Sequence, residues 1–118
     1  MKDVNKVKKA KFFRRQRRTR AKMIGTATKP RMSVFRSLLH IYVQAIDDVN
    51  SLTLAAASDK DIKEKGKKAD IAAKVGETFG KKLADKKITE GIFDKGAYKY
   101  HGRVKALADG IRKSGINF

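Results

Sequence analysis

The basic residues of this chain are concentrated at one end. Residues 1–36 contain fourteen Lys and Arg residues and one acid, Asp3, so this segment holds +13 of the net charge of +18. Repulsion between like charges opposes compaction of such a segment on its own. Its charge is typical of a segment that binds a polyanion, and for a basic arm of this kind the polyanion is most often a nucleic acid.

Residues 1–24 form the predicted arm, which residues 25–30 join to the rest of the chain. The arm contains neither proline nor glycine, but its apolar residues share no helical face, and cations four apart repel, as Arg14 and Arg18 do. We therefore expect the arm to be mostly disordered alone and helical once phosphates neutralise it. The joining segment carries a glycine and a Lys-Pro step and is predicted to be a hinge.

Residues 31–118 are predicted to form a single mixed α/β domain. Three segments with alternating apolar residues are expected to be strands of an antiparallel meander: residues 31–37, 40–46 and 52–58. In the second strand, Ile41, Val43 and Ala45 are expected on the face opposite to their even-numbered neighbours, because side chains alternate along a strand.

Two amphipathic helices are predicted after a charged loop at residues 59–67. The first spans residues 68–87 and the second residues 103–113, with residues 91–94 as a short strand between them. Their apolar stripes are Ala72, Val75, Phe79 and Leu83, and Val104, Leu107, Ala108 and Ile111. The β-β-β-α-β-α order predicts a mixed sheet with helices packed on it.

Three smaller expectations concern glycines near the helices and the end of the chain. Gly76 and Gly80 are expected to let the first helix approach the sheet closely, which would offset their weak helix propensity. Gly115 lies where a C-terminal cap belongs. Residues 116–118 are expected to add a terminal edge strand.

Several classes of site are excluded by the residue types. The chain has no cysteine, which excludes disulfides and zinc–thiolate sites, and only two histidines. No apolar run is long enough for a membrane span, and the basic N-terminus lacks the apolar stretch of a secretory signal. Residues 4–24 form no clean amphipathic stripe, so we expect no mitochondrial transit peptide.

Three acids leave a metal-dependent nuclease as a distant alternative. Asp47, Asp48 and Asp94 lie near strand ends, where two-metal nucleases place carboxylates. However, Asp47 and Asp48 open a turn and Asp94 precedes a glycine turn, which are common structural uses of aspartate. We therefore predict no catalytic residue, no metal, no cofactor and no small-molecule substrate.

A second basic segment joins the short strand to the last helix. Its basic, aromatic and glycine residues are Lys95, Gly96, Tyr98, Lys99, Tyr100, His101, Gly102, Arg103 and Lys105. Glycines and the N–H groups of a helix N-terminus suit a phosphate, and tyrosines can stack on bases. Taken with the arm, this loop predicts contact with RNA rather than tyrosines packed on the core with lysines in solvent.

The strands offer a further set of rings. Phe35, His40 and Tyr42 either form a stacking platform on an open sheet face or lie buried under another segment, and the sequence leaves both interpretations open. His101 is interpreted as a structural or phosphate-contacting residue rather than a proton-transfer group, because no serine or acid lies in a supporting arrangement.

Two segments resemble a known family. Residues 31–37 (RMSVFRS), followed by residues 40–42 (HIY) and 46–48 (IDD), form the first, and residues 93–109 (FDKGAYKYHGRVKALAD) form the second. With the basic arm and the closing Gly-Ile-Asn-Phe they cover most of the chain. They are similar to the bacterial large-subunit ribosomal proteins of the L-eighteen family, and chance agreement over the second segment is negligible.

This resemblance implies a function. It implies the ribonuclease-H-like fold of translational components, without nuclease activity, and binding to 5S rRNA. It also implies attachment of 5S rRNA to 23S rRNA in the central protuberance of the large subunit, in the cytoplasm, beside the L-five protein. The predicted RNA-binding residues are Lys8, Lys9, Lys11, Arg14, Arg15, Arg17, Arg18, Arg20, Lys22, Arg31, Arg36, His40, Tyr42, Lys95, Tyr98, Lys99, Tyr100, His101, Gly102, Arg103 and Lys105.

The chain departs from the family pattern at the first hairpin and in the tyrosine loop. Leu38 and Leu39 stand where the family commonly has Asn-Lys, so no RNA contact is predicted for them. Lys95 replaces the usual arginine and loses its bidentate fork. Ala97 replaces a common glycine and stiffens the loop.

Two functions compete for the same charge pattern. The first is a non-catalytic, RNA-binding structural protein, and the second is a nonspecific DNA-compacting protein, which the arm suits equally but to which the tyrosine loop adds nothing. For the first we expect that removal of residues 1–24 leaves the domain folded, and that Arg103→Ala weakens RNA binding while sparing the fold.

Overall fold

Alternating apolar residues form the strands of this protein, and apolar stripes at helical spacing form two of its helices. The computed structural model describes residues 4–118. In chain order it contains α1 (Val4–Arg20), β1 (Arg31–Arg36), β2 (Ile41–Asp47), β3 (Leu52–Ser58), a 3₁₀ turn (Asp59–Asp61), α2 (Lys68–Asp85), β4 (Ile92–Asp94) and α3 (Arg103–Lys113). The mixed α/β class and the predicted order after the arm are confirmed, with boundaries that differ by two residues or fewer.

The four strands form one mixed sheet in the order β3-β2-β1-β4. β1 pairs with β2 and β2 pairs with β3 in antiparallel fashion, which confirms the meander. β4 lies parallel to β1, with Arg31 opposite Ile92 and Ser33 opposite Asp94. This pairing brings the start of the tyrosine loop beside the strand that follows the arm.

One face of the sheet carries the core. Ile41, Val43 and Ala45 are buried on β2 as predicted, together with Met32 and Val34 of β1. All eight residues of the two predicted helical stripes are fully buried. Both helices therefore cover the same face of the sheet, and the opposite face stays open beside the arm.

The expectation that Gly76 and Gly80 approach the sheet is wrong, because both face α3. A Cβ atom at Gly76 would collide with the carbonyl oxygen of Leu107, and one at Gly80 would collide with the side chain of Ser114. The glycines permit close packing of α2 against α3 within the helical layer. The cost of about 1 kcal/mol for each glycine in a helix is thus offset by packing between helices.

The end of the chain is less regular than predicted. Gly115 adopts a left-handed φ of +101°, and its N–H donates to the carbonyl oxygen of Arg112 at 3.0 Å, as expected of a cap. Residues 116–118 form a single parallel bridge, between Asn117 and Glu90, in place of the predicted edge strand.

The arm is helical in the structure, which is the conformation predicted for it when phosphates neutralise its charge. Val4–Arg20 form helix α1, and the first three residues of the predicted arm lie outside the described residues. Disorder of the arm on its own stays a prediction. Contacts with the domain stabilise this helix, which the arm's own charge pattern does not favour. The ring of Phe12 packs edge-on against Tyr98 at 5.7 Å, and the hydroxyl of Thr19 donates to the carbonyl oxygen of Gly96 at 2.8 Å.

The predicted hinge is a hydrogen-bonded turn. The N–H of Thr26 donates to the carbonyl oxygen of Lys29 at 3.0 Å, and Gly25 exchanges backbone and side-chain hydrogen bonds with Asp48. Gly25 is buried, and a Cβ there would collide with the carbonyl oxygen of Ile46. Within residues 4–118, no helix is both long and apolar enough to cross a membrane.

Candidate nucleic-acid interface

The arm presents its cations to solvent along α1 and the turn that follows. Eight of the nine predicted arm residues are exposed: Lys8, Lys9, Lys11, Arg14, Arg15, Arg17, Arg18 and Lys22. Arg20 is the exception, because its side chain is turned toward the domain and is 35% exposed. The described arm is therefore a positively charged helix that contacts the domain through Phe12, Thr19 and Arg20.

Arg31, predicted as an RNA contact, lies at the centre of an ion-pair cluster. Its Nε and Nη2 atoms donate to the two oxygens of Asp48, both at 3.0 Å, and Nη1 donates to Asp94 Oδ2 at 2.8 Å. Its side chain is 12% exposed. The hydrogen bond from Arg31 lowers the pKa of Asp48, helped by the N–H of Gly25, and in turn raises the pKa of Arg31. The structure thus gives Arg31 two carboxylate partners, while its RNA contact stays a prediction.

Asp94 joins three parts of the molecule. Its Oδ2 atom accepts from Arg20 Nε at 2.7 Å and from Arg31, and its Oδ1 atom accepts from the N–H of Gly96 at 2.8 Å. Arg20 also donates to the hydroxyl of Ser33 at 3.2 Å. The side chain of Asp94 is fully buried, so this carboxylate links the arm, β1 and the tyrosine loop beneath the surface.

Tyr98 forms a second link between separate segments. Its hydroxyl donates to the carbonyl oxygen of Arg36 at 3.0 Å and accepts from the N–H of Arg36 at 3.1 Å. The guanidinium of Arg36 lies 5.2 Å from the centre of the same ring, which also contacts Phe12. The hydroxyl predicted to reach RNA is therefore bonded to protein, and the ring holds the end of β1 against the arm.

These contacts border a solvent-open cavity of about 440 Å³ between α1, the end of β1 and the tyrosine loop. Its lining combines cations and rings: Phe12, Arg15, Arg36, Ala97, Tyr98, Lys99, His101 and Gly102. The structure thus brings predicted residues of the arm, the strand and the loop to one place. Phe12 was not among the predicted site residues, and its signal in the sequence was a pair of adjacent phenylalanines flanked by basic residues.

The rest of the tyrosine loop is divided between solvent and protein. Lys99, His101, Gly102 and Lys105 are exposed. Lys95 donates to the carbonyl oxygen of Tyr98 at 3.2 Å. Gly96 and Gly102 adopt positive φ values of +62° and +57°, and α3 begins directly after Gly102, so the predicted placement of this loop at a helix N-terminus is confirmed.

Tyr100 faces away from the cavity lining toward another ring cluster. Its hydroxyl accepts a hydrogen bond from Arg112 at 2.9 Å, and its ring contacts Phe93 edge-on at 6.0 Å. Phe93 stacks on Phe118, and Arg112 lies 4.3 Å from the centre of the Phe118 ring. The two tyrosines of the loop therefore lie in different environments, which their spacing alone did not reveal.

Arg103 caps the first hairpin. Its guanidinium donates to the carbonyl oxygens of Ser37 at 3.0 Å, His40 at 2.7 Å and Leu38 at 3.2 Å. Lys68 Nζ donates to the same Leu38 oxygen at 2.7 Å. Sequence reasoning assigned Arg103 to RNA and did not find this structural use, because the hairpin lies more than sixty residues earlier in the chain.

The open face of the sheet carries the three rings that the sequence left undecided. Tyr42 contacts Phe35 at 6.0 Å and His40 at 6.2 Å between ring centres, and Lys60 lies 5.9 Å above its ring. Phe35 is 58% exposed, and His40 Nδ1 lies 2.9 Å from Asp59 Oδ2. The platform interpretation therefore fits the geometry, and burial of all three rings does not.

The acids considered for a nuclease have structural partners. Asp47 Oδ1 accepts from the N–H groups of Val49 at 3.0 Å and Asn50 at 3.2 Å, as predicted for a turn. Asp48 and Asp94 are bonded to Arg31. Within the described residues no cluster of three or more His, Cys, Asp or Glu side chains is arranged to hold a metal ion.

Comparison with known proteins identifies the family of this chain. Residues 6–118 match the family model described as ribosomal L18 of archaea, bacteria, mitochondria and chloroplasts. The chain is 52% identical over 119 residues to a protein named large ribosomal subunit protein uL18 from Staphylococcus carnosus, covering 98% of this chain and 96% of that protein. It is also 52% identical over 118 residues to the protein of the same name from Staphylococcus aureus strain JH9, with the same coverage of each. The chain therefore belongs to the ribosomal L18 family.

Proposed function

We propose that this ribosomal protein is a structural constituent of the large subunit that binds 5S rRNA. In this proposal it helps attach 5S rRNA to 23S rRNA in the central protuberance, beside the L-five protein. Its family is structural rather than enzymatic. The observation that carries the RNA proposal is the open cavity lined by Phe12, Arg15, Arg36, Tyr98 and Lys99, where three separate segments place cations beside aromatic rings.

The arm supplies affinity in this proposal. Its exposed cations lie along α1 and the turn that follows and can neutralise successive phosphates, which releases counterions from the RNA. For about 6–10 phosphate contacts, affinity falls about 10³–10⁵-fold between roughly 50 and 200 mM salt. This electrostatic contribution to affinity does not depend on the RNA sequence, so it does not by itself select 5S rRNA.

The loop and the open sheet face distinguish RNA from duplex DNA in this proposal. Unpaired bases of RNA stack on aromatic rings and guanidinium planes, and such stacking needs flat groups that stay accessible. Phe35 and Tyr42 on the sheet, and the guanidinium of Arg36 over Tyr98, are groups of this kind. Duplex DNA keeps its bases stacked internally, so these groups favour a folded RNA.

A competition gel shift tests the proposal. Labelled 5S rRNA is bound by the full-length chain at several salt concentrations and competed with unlabelled 5S rRNA or duplex DNA of equal length. We expect 5S rRNA to compete far more effectively than DNA at every salt concentration. Equal competition by the two nucleic acids contradicts the proposal and favours nonspecific DNA compaction.

A further inference from the structure

The arm contacts the domain through the ring of Phe12, which packs on Tyr98, and through its last two helical residues. Arg20 Nε lies 2.7 Å from Asp94 Oδ2, and the Thr19 hydroxyl donates to the carbonyl oxygen of Gly96 at 2.8 Å. Both contacts fall on the short segment that opens the tyrosine loop. These two polar contacts tether the C-terminal end of α1 where the loop begins, while Phe12 packs on Tyr98 further along the same loop.

Asp94 is suited to hold this junction because it is a buried charge. A carboxylate removed from water is tolerated only when cations and hydrogen-bond donors surround it. Two guanidinium groups share its Oδ2 atom, and the Gly96 N–H satisfies Oδ1. Arg20 is the only one of these three donors that belongs to the arm, so it is the arm's contribution to compensating this charge.

We propose that Asp94 is a positioning residue for RNA binding, acting through Arg20 to orient α1 relative to the tyrosine loop. This inference rests on the proposed binding of 5S rRNA. Asp94 is fully buried and does not itself contact RNA. Its effect is to hold the arm cations and the cavity at Tyr98 in one arrangement before RNA arrives, which reduces the ordering that binding would otherwise require.

Two single substitutions in the arm separate positioning from charge. Arg20→Gln removes the contact to Asp94, and Arg17→Gln removes the same charge from an exposed position on the same helix. Amide hydrogen exchange is measured on the full-length chain without RNA. We expect faster exchange in α1 for Arg20→Gln only, with α2 and α3 unchanged. Equal exchange of α1 in the two variants overturns the proposal.

The same variants are then titrated with 5S rRNA. Loss of one phosphate contact is expected to weaken binding about fivefold at physiological salt in either variant. Arg20→Gln is expected to weaken it about tenfold more, as if the arm held its binding orientation only about a tenth of the time. Equal losses overturn the positioning role, whereas no 5S binding by the wild-type chain overturns the proposed function itself.

The substitution Asp94→Asn changes the acceptor of the same contact. It keeps an acceptor for the Gly96 N–H but removes the charge that holds Arg20. If both residues act through one contact, the double variant binds 5S rRNA no more weakly than the weaker single variant. Fully additive losses overturn the proposal. Should Asp94→Asn unfold the chain through its pairing with Arg31, the comparison of Arg20→Gln with Arg17→Gln decides alone.

Discussion

The guanidinium of Arg103, at the start of α3, donates to the carbonyl oxygen of His40 at 2.7 Å, and it reaches two further carbonyls of the same hairpin. This contact changes the expected result of removing Arg103. We now expect Arg103→Ala to destabilise the chain by about 1–3 kcal/mol, because hydrogen bonds from a charged donor are lost. Denaturant unfolding is the measurement, with Lys105→Ala as a control that removes the same charge from the same helix. Equal stability of the two variants would show that the hairpin contacts contribute nothing.

The hydroxyl of Tyr98 gives a second prediction. Tyr98→Phe removes both hydrogen bonds to the backbone of Arg36 while keeping the ring against Phe12. We expect a loss of about 1 kcal/mol in the free energy of unfolding with little change in 5S affinity, since the stacking surface remains. Tyr98→Ala also removes the ring and is expected to weaken 5S binding. Equal binding by Tyr98→Ala and wild type would remove this ring from the interface.

The pair formed by Arg31 and Asp48 makes stability depend on pH. Arg31 holds the pKa of Asp48 below its usual value in the folded chain, so the unfolded chain binds the proton more readily. The contribution is present above the unfolded pKa of about 3.9 and is lost as the pH falls through the lower folded pKa. We expect Asp48→Asn to lower stability by about 1 kcal/mol at neutral pH.

Thermal unfolding of Asp48→Asn and wild type over a pH series provides the check. The difference between the two is expected to be constant above about pH 5 and to shrink as the pH falls below about 4. A difference that stays the same down to strongly acidic pH would mean that ionisation of Asp48 does not stabilise the fold.

The outer edge of β3 leads to a prediction about self-association. Lys82 Nζ donates to the carbonyl oxygen of Ala56 at 2.8 Å, and Lys86 Nζ donates to that of Leu54. These carbonyls lie on an edge strand, where free backbone groups can pair with another chain. We expect the double variant Lys82→Ala, Lys86→Ala to self-associate in sedimentation velocity while wild type stays monomeric.

A charge-matched control separates edge protection from general repulsion. Lys63 and Lys65 are exposed in the loop before α2, and replacing both with alanine removes the same charge. That control is expected to remain monomeric. Association of both double variants to the same degree would attribute the effect to lower net charge.

The sequence predicted those parts of the fold that depend on neighbouring residues. The alternation in β2 and the apolar stripes of α2 and α3 follow from spacing within one element, and their buried faces are confirmed. The position of β4 beside β1 was not predicted, because no local pattern specifies which strands pair. The contact of Gly76 with α3 was missed for the same reason.

In the candidate site too, features that depend on one segment were predicted and contacts between distant segments were not. The exposed cations of the arm and loop were predicted from composition, since charge needs no partner to be recognised. The hydrogen bonds of Asp94 to Arg31 and Arg20 join residues 63 and 74 positions apart, so their roles as structural partners emerged only in three dimensions. A helical arm was predicted only together with phosphates, because the contacts of Phe12 and Thr19 with the domain cannot be recognised within the arm's own sequence.

The most direct test of the account is site-specific cross-linking to 5S rRNA. The chain has no cysteine, so Lys99→Cys at the cavity rim and Lys113→Cys at the far end of α3 each carry a single attachment point for a short photo-cross-linker. The account predicts efficient cross-links to 5S rRNA from position 99 and few from position 113. Equal yields from both positions, or a higher yield from position 113, would contradict the claim that RNA binds where the arm, β1 and the tyrosine loop meet.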